Sequence, residues 1–221
     1  VAPEADIYYI AVNFGRRDTD GNHRGYFDMA AAIRRLLDIN NTLPKRRQIR
    51  VISISRGWNP GEPGADDVER AISEAEASGV FVITTALERT HDAKVNGLGR
   101  DPYTDPELPE SYRPGNFWMH WVLTGEWGSD RVLVPMDART VAAEHGSDSY
   151  RYSRYGAMSW VVPYVAGLYA LVAQVDDAVT SAAFLRSLQA TSNTFVREID
   201  GTEYALGSIV DPVALVDAHR R

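Results

Sequence analysis

From Tyr155 to Val175 the chain carries no charged residue. The run opens on small residues, Gly156-Ala-Met-Ser159, and continues as Trp160-Val-Val-Pro-Tyr-Val-Ala-Gly167 into further apolar positions. A segment apolar at every position of the 3.6-residue period is predicted to be a helix buried on all its faces. Pro163 fits such a helix only near its start, where a missing N–H costs nothing and the fixed φ suits the first turn. Ser159 therefore falls at or just before the helix N-terminus, with unsatisfied backbone N–H groups and the positive dipole end beside its hydroxyl. Two readings of Ser159 follow. It is an N-capping serine, or a nucleophile placed where developing negative charge is favoured.

The rest of the chain alternates between strand and helix patterns. Ile7–Val12 reads as an apolar strand, Gly15–Gly25 as a polar loop, and Phe27–Leu37 as a helix with Met29, Ile33, Leu36 and Leu37 on one face. Pro44 and Lys45-Arg46-Arg47 form a solvated connector before a second strand, Arg50–Ile54. Asp66 is predicted to cap the next helix, with Glu69 completing a capping box, and Gly79 to end it. Val80–Thr84 follows as a third strand. This order argues a parallel sheet covered by helices, in a single domain spanning 1–221. After Ser181 a helix runs to about Ala190, Gly201–Ile209 reads as a hairpin, and Pro212 opens a last helix. Residues 89–130, with four prolines and Trp118, Trp121 and Trp127, read as a long loop region packed by aromatics. It is either a structural insertion or a cover over a cleft.

Composition excludes several classes. A net charge of −7 and a pI of about 5.2 give no electrostatic support to nucleic-acid or phosphate binding. With no cysteine there is neither a disulfide nor a cysteine-type zinc site. Asp18-Thr-Asp-Gly-Asn22 spaces oxygens as a calcium loop does, but its glycine is misplaced and Met29 stands where the twelfth ligand would. A plain turn is expected there, and no cofactor. There is no Gly-x-Gly-x-x-Gly, so an unrelated dinucleotide-binding domain lacks its ligand motif. The longest apolar run, Trp160–Val175, fits a buried helix rather than a bilayer span.

Ser159-x-x-x-Pro163-x-Val-Ala-Gly167 resembles the nucleophile motif of the subtilisin-like serine peptidases, Gly-Thr-Ser-Met-Ala-x-Pro-His-Val-Ala-Gly. Met158 stands for the usual threonine, Ala157 for the glycine and Trp160 for the methionine. Four other stretches resemble that family in the same order. Val1-Ala-Pro-Glu-Ala-Asp-Ile resembles the strand after the family's histidine helix, and Val51-Ile-Ser-Ile-Ser-Arg-Gly57 the strand whose edge pairs with the substrate backbone. Ala71–Thr85 resembles the helix and strand leading to the oxyanion-hole asparagine, and Leu133-Val-Pro-Met136 the turn upstream of the serine. The resemblance implies a three-layer α/β fold with a mostly parallel central sheet, and a serine endopeptidase acting on peptides or proteins. It implies Ser159 as nucleophile and Ser55, Arg56 and Gly57 as substrate-binding residues. An extracellular or cell-surface location is implied by the family alone.

Two departures accompany the resemblance. The family's aspartate strand and histidine helix both precede the Val-Ala-Pro strand, with which this sequence begins, so neither motif is present. None of His23, His91, His120, His145 and His219 aligns with the family base, and His23, His145 and His219 read as surface histidines. Glu88 takes the position of the oxyanion asparagine, where an ionised carboxylate repels an oxyanion and only a protonated one donates. Glu88 fills the oxyanion region, or stands in the loop while Asn96 or a backbone amide does so. A catalytically inactive binding or regulatory module is thus the alternative to a peptidase. Without the first strand the sheet has a gap between Ile7–Val12 and Val51–Ile54. It is expected to be filled by a segment from another chain, closed by approach of the two strands, or covered by a second copy.

Overall fold

The computed structural model describes residues 2–126 and 130–220. Helix α1, Gly25–Asn40, buries Met29, Ala30 and Ile33, positions three and four apart on one face. A short 3₁₀ turn at Lys45–Arg47 leads to strand β1, Val51–Ile54. Helix α2, Ala65–Ala77, turns Val68, Ala71, Ile72 and Ala75 inward against α1 and the sheet. Its end follows the expected glycine logic: Gly79 sits at φ +76° and the Val80 N–H reaches back to the Ala75 carbonyl. Its start does not. Gly64 occupies the cap in a left-handed conformation, Asp66 lies inside the first turn, and the Glu69 carboxylate instead accepts from Trp58 Nε1 at 3.1 Å.

Strand β2, Phe81–Thr84, is fully buried and pairs in parallel with β1. Phe81 and Ile83 face one core, while Val82 joins Ile52 in the core under α1 and α2. Helix α3, Leu87–His91, follows, and then strand β3, Val95–Arg100. That strand corrects the reading of 89–130 as loop. A core strand runs through it, followed by β4, Tyr112–Pro114, and helix α4, Met119–Leu123. Trp127 lies outside the described residues.

Strands β5, Val132–Pro135, and β9, Thr202–Ile209, continue the parallel part of the sheet beside β3. β4 and β8, Asn193–Ile199, add antiparallel edges, giving the order β4-β3-β5-β9-β8. Between β5 and the long helix α5, Met158–Val175, a separate ribbon forms from β6, Arg139–Ala142, and β7, Tyr150–Ser153. Helix α5 packs across β1, β2, β3 and β5 and so joins the two parallel ladders into one layer. Helices α6, Ser181–Ala190, and α7, Pro212–Asp217, cover the same core through Phe184, Leu188 and Leu215. Thr180 and Asp211 cap them, accepting from Ala183 N–H and from Val213 and Ala214 N–H. The result is the expected three layers, helices on both faces of a mostly parallel sheet.

Three expectations need correction. α5 is long and apolar enough to cross a membrane, yet it is a core helix, with Val161, Val162, Val165, Ala166, Leu168, Tyr169 and Val172 buried. It is not buried on every face, because Pro163 and the C-terminal Val175 reach the surface. Ile7–Val12 is not a strand: it has no ladder partner among the described residues, and Ile7 and Tyr9 are 87% and 85% exposed. A strand pattern needs a neighbouring edge to become a strand. The gap beside β1 is therefore not closed by approach of that segment.

Candidate active site

Ser159 is the second residue of α5, and no side chain caps that helix start. The Trp160 N–H is taken by the Ala157 carbonyl at 2.8 Å, which leaves the Met158 and Ser159 N–H groups and the positive end of the helix dipole facing outward. The serine is exposed and stands against the residue that follows the carboxyl end of β1. Two hydrogen bonds link the pair in both directions. Ser159 Oγ donates to the Ser55 carbonyl at 3.4 Å, and Ser55 Oγ donates to the Ser159 carbonyl at 2.9 Å. Pro163 sits one turn into the helix rather than at its first position, and it has no N–H for the carbonyl four residues earlier. That carbonyl belongs to Ser159, and the Ser55 hydroxyl takes the place of the missing donor.

The turn before the serine is held by Asp137, a residue the sequence did not single out. Its side chain is buried, and its two oxygens accept from the backbone N–H of Gly156 at 2.6 Å and of Asn116 at 2.9 Å. Gly156 itself is required by space, since a Cβ there would lie 2.5 Å from the Met136 carbonyl oxygen. The only signal in the sequence was the resemblance of Leu133–Met136 to a family turn, and Asp137 is the next residue.

Of the expected substrate-binding residues, Ser55 is tied to Ser159 as described. Arg56 lies over the rings of Phe14 and Tyr26, at 4.5 and 5.9 Å from their centroids. The Gly57 carbonyl accepts from the Tyr26 hydroxyl, and a Cβ on Gly57 would lie 2.7 Å from Thr85 Oγ1. A depression of about 530 Å³ opens beside them, walled by Gly57, Trp58, Thr85, Ala86, Glu88 and Arg89. A second, of about 240 Å³, shares Thr85 and Glu88 and reaches Met158, next to the serine. Glu88 thus lies on the divide between two hollows. It is exposed and paired with Arg131 at 3.3 Å, and the same guanidinium donates to Asn96 Oδ1 at 2.8 Å. Asn96 is buried on β3 with its side-chain oxygen committed to Arg131.

The histidines lie in other surroundings. His23 is an exposed partner of Arg17, and His145 is largely exposed near Glu144. His219 is not a surface residue: it is buried, with Nδ1 3.2 Å from the Asp176 carboxylate, because α7 folds the chain end back onto the C-terminus of α5. His91 is half-buried between Thr90 and Glu76. No hydrogen bond joins a histidine to Ser159 among the described residues. The Asp18 loop closes on itself: Asp18 Oδ1 accepts from Asp20 and Asn22 N–H, and the Asn22 backbone bond holds its carboxyl below the ordinary range. Among the described residues no group of three or more acidic, histidine or cysteine side chains is placed to hold a metal.

Solved structures show the same arrangement of elements. The chain matches the patellamide maturation protease PatA at 16% identity and a TM-score of 0.53, over 90% of this chain and 70% of that one. The fold is subtilisin-like. The subtilase cytotoxin SubAB assembly matches with a TM-score of 0.57 at 13% identity, over 87% of this chain and 64% of the other. The prenylagaramide maturation protease PagA matches at 16% identity and 0.52, over 89% and 68%. No family model matches the sequence, and no characterised relative does either. Within this subtilisin-like fold α5 starts at the carboxyl end of β1.

Proposed function

We propose that this chain is the serine-bearing part of a subtilisin-like peptidase, with Ser159 as its nucleophile and a peptide or protein as its substrate. The observation that carries the reading is an exposed serine in the uncapped first turn of a buried helix, beside the end of a parallel strand. Ser159 Oγ attacks the scissile carbonyl carbon and passes its proton to a general base, which then protonates the departing amine. Water hydrolyses the acyl-enzyme and restores the serine. The Met158 and Ser159 N–H groups at the start of α5 receive the oxyanion in this reading. Ser55-Arg56-Gly57 pairs with the substrate backbone by strand addition, and the depression beside Gly57 takes a substrate side chain. No hydrogen bond joins a histidine to Ser159 among the described residues, so in this reading the base comes from a further segment of the same protein.

Labelling with a fluorophosphonate serine probe tests this reading, on the chain alone and on the full-length gene product, each against Ser159→Ala. Labelling that needs Ser159 in the full-length product supports the peptidase. No labelling in either sample overturns it in favour of an inactive binding module.

A further inference from the structure

The smaller hollow, which reaches Met158, has an aromatic wall and an unbalanced set of charges. Trp118 sits at the cap of α4 and Trp121 one turn into it, so the two indoles meet, at 5.7 Å between centroids, and both line the hollow. Phe117 lies against Trp118 at 4.6 Å. Trp118 is half-buried against the main core, whereas Trp121 is 40% exposed and Phe117 50%. Rings of this size held in water on the rim of a cavity form a surface shaped for a ligand. Among the described residues the charged side chains lining the hollow are Glu88, Glu126 and Arg131. Arg131 is matched: its Nη1 lies 3.3 Å from Glu88 Oε2 and donates to Asn96 Oδ1 at 2.8 Å. Lys94, close enough to feel Glu88 and Arg131, is matched by Asp130. Glu126 has no hydrogen bond or ion pair among the described residues.

We infer that this hollow binds a cation on an alkyl stem, the side chain of a lysine or arginine in a peptide, with the Trp118 and Trp121 rings against it and Glu126 as its counter-charge. An ammonium or guanidinium is attracted to the negative face of an aromatic ring, and tryptophan is the strongest of the aromatic residues in this role. Met158 and the indoles give the stem an apolar wall while the charged head meets the Glu126 carboxylate. An anionic side chain is disfavoured: it meets Glu88 and Glu126, and Arg131 Nη1 already serves two acceptors. A neutral apolar side chain covers the rings but takes water from the Glu126 carboxylate without replacing it. The chain's net charge of −7 also favours the approach of cationic peptides. The use of this site to select substrates rests on the reading of Ser159 as a nucleophile; the binding itself does not. In that reading the guest belongs to a residue near the scissile bond, because the hollow ends at Met158. Its positive charge then lies beside the N–H groups that receive the oxyanion.

Titration of the ¹⁵N-labelled chain with the N-acetyl amides of lysine, norleucine and glutamate, followed on the tryptophan indole cross-peaks, tests the inference. The expected result is a saturable shift of the Trp118 and Trp121 indoles with the lysine compound, at least about threefold tighter than with the norleucine compound, and none with the glutamate compound. Glu126→Gln is expected to weaken lysine binding by about two- to fivefold, the worth of one exposed charge pair, and to leave norleucine binding unchanged. Trp121→Leu is expected to weaken lysine binding by a similar factor. No saturable shift, equal affinity for lysine and norleucine, tighter binding of glutamate, or a Glu126→Gln variant that binds as wild type overturns the inference. Should Trp121→Leu disturb the aromatic cluster, Glu126→Gln, which removes no bond among the described residues, still decides. None of these readouts uses the serine. Lysine binding without Ser159 labelling counts against the peptidase reading alone, and labelling without a preference for lysine counts against this inference alone.

Discussion

The Ser55 hydroxyl donates to the carbonyl of Ser159, the acceptor that Pro163 deprives of its helical partner. A proline one turn into a helix ordinarily weakens it. Here a side chain from the neighbouring strand end supplies the lost bond and locks the serine's backbone to the sheet.

Replacing Ser55 with alanine is expected to destabilise the chain by about 0.5–1 kcal/mol, the value of one partly solvated hydrogen bond. In a Pro163→Ala background the helix regains its own N–H, and the same substitution is expected to cost less. Urea unfolding of the four proteins of this cycle measures the coupling. A coupling of zero means that the two residues act independently.

Asp137→Ala removes a buried carboxylate from two backbone N–H groups, those of Gly156 and Asn116. The expected loss is about 2–4 kcal/mol, because each N–H is left without a partner. Gly156→Ala forces a methyl group against the Met136 carbonyl and is expected to cost about 1–3 kcal/mol. Both should also lower Ser159 labelling in any form of the protein that labels. Wild-type unfolding midpoints for either variant would show that this turn is not held as described.

Glu88 carries a different expectation. Its pair with Arg131 is exposed, so Glu88→Asn should change stability by less than about 1 kcal/mol. Where the full-length product reacts with a fluorophosphonate, the same variant should react faster, since it removes a negative charge from the hollow that reaches Met158, beside the proposed oxyanion site. A slower reaction would give Glu88 an assisting role.

The acid limb of the stability curve should report Glu76. Its folded-state carboxyl sits below the ordinary range, so its contribution is complete above the unfolded value and is lost as the pH falls through the folded one. Wild-type stability should therefore decline below the usual carboxylate range. Glu76→Gln should show a shallower decline over that interval, measured by thermal unfolding at a series of pH values.

Local rules were enough where a segment's fate depends on its own residues. The helix Ser181–Ala190 begins after a threonine cap, α2 stops at Gly79, and α7 starts at Pro212 behind Asp211. The pattern failed where the partner decides. β3 reads Val-Asn-Gly-Leu-Gly-Arg, a poor strand by propensity, yet its glycines are needed because Met136 and Pro114 lie against them. Ile7–Val12 reads as a good strand and stays unpaired for want of a neighbour. At the candidate site Ser159 and Ser55 were legible from a motif. Asp137 was not, because its role lies in two backbone N–H groups 19 and 21 residues away.

Three glycines far apart in sequence, Gly97, Gly115 and Gly156, give up their side-chain space to Met136, which is 1% exposed. A thioether enclosed in this way is closed to peroxide while the chain is folded, and an added sulfoxide oxygen would find no room among the three backbones. Oxidation at Met136 is therefore damage that can be acquired only during unfolding or synthesis, and once acquired it bars the way back. Peptide mass analysis after peroxide treatment, with and without urea, should find the sulfoxide only in the unfolded sample. The methionine packed against the serine's turn would then also record whether a given molecule has ever come apart.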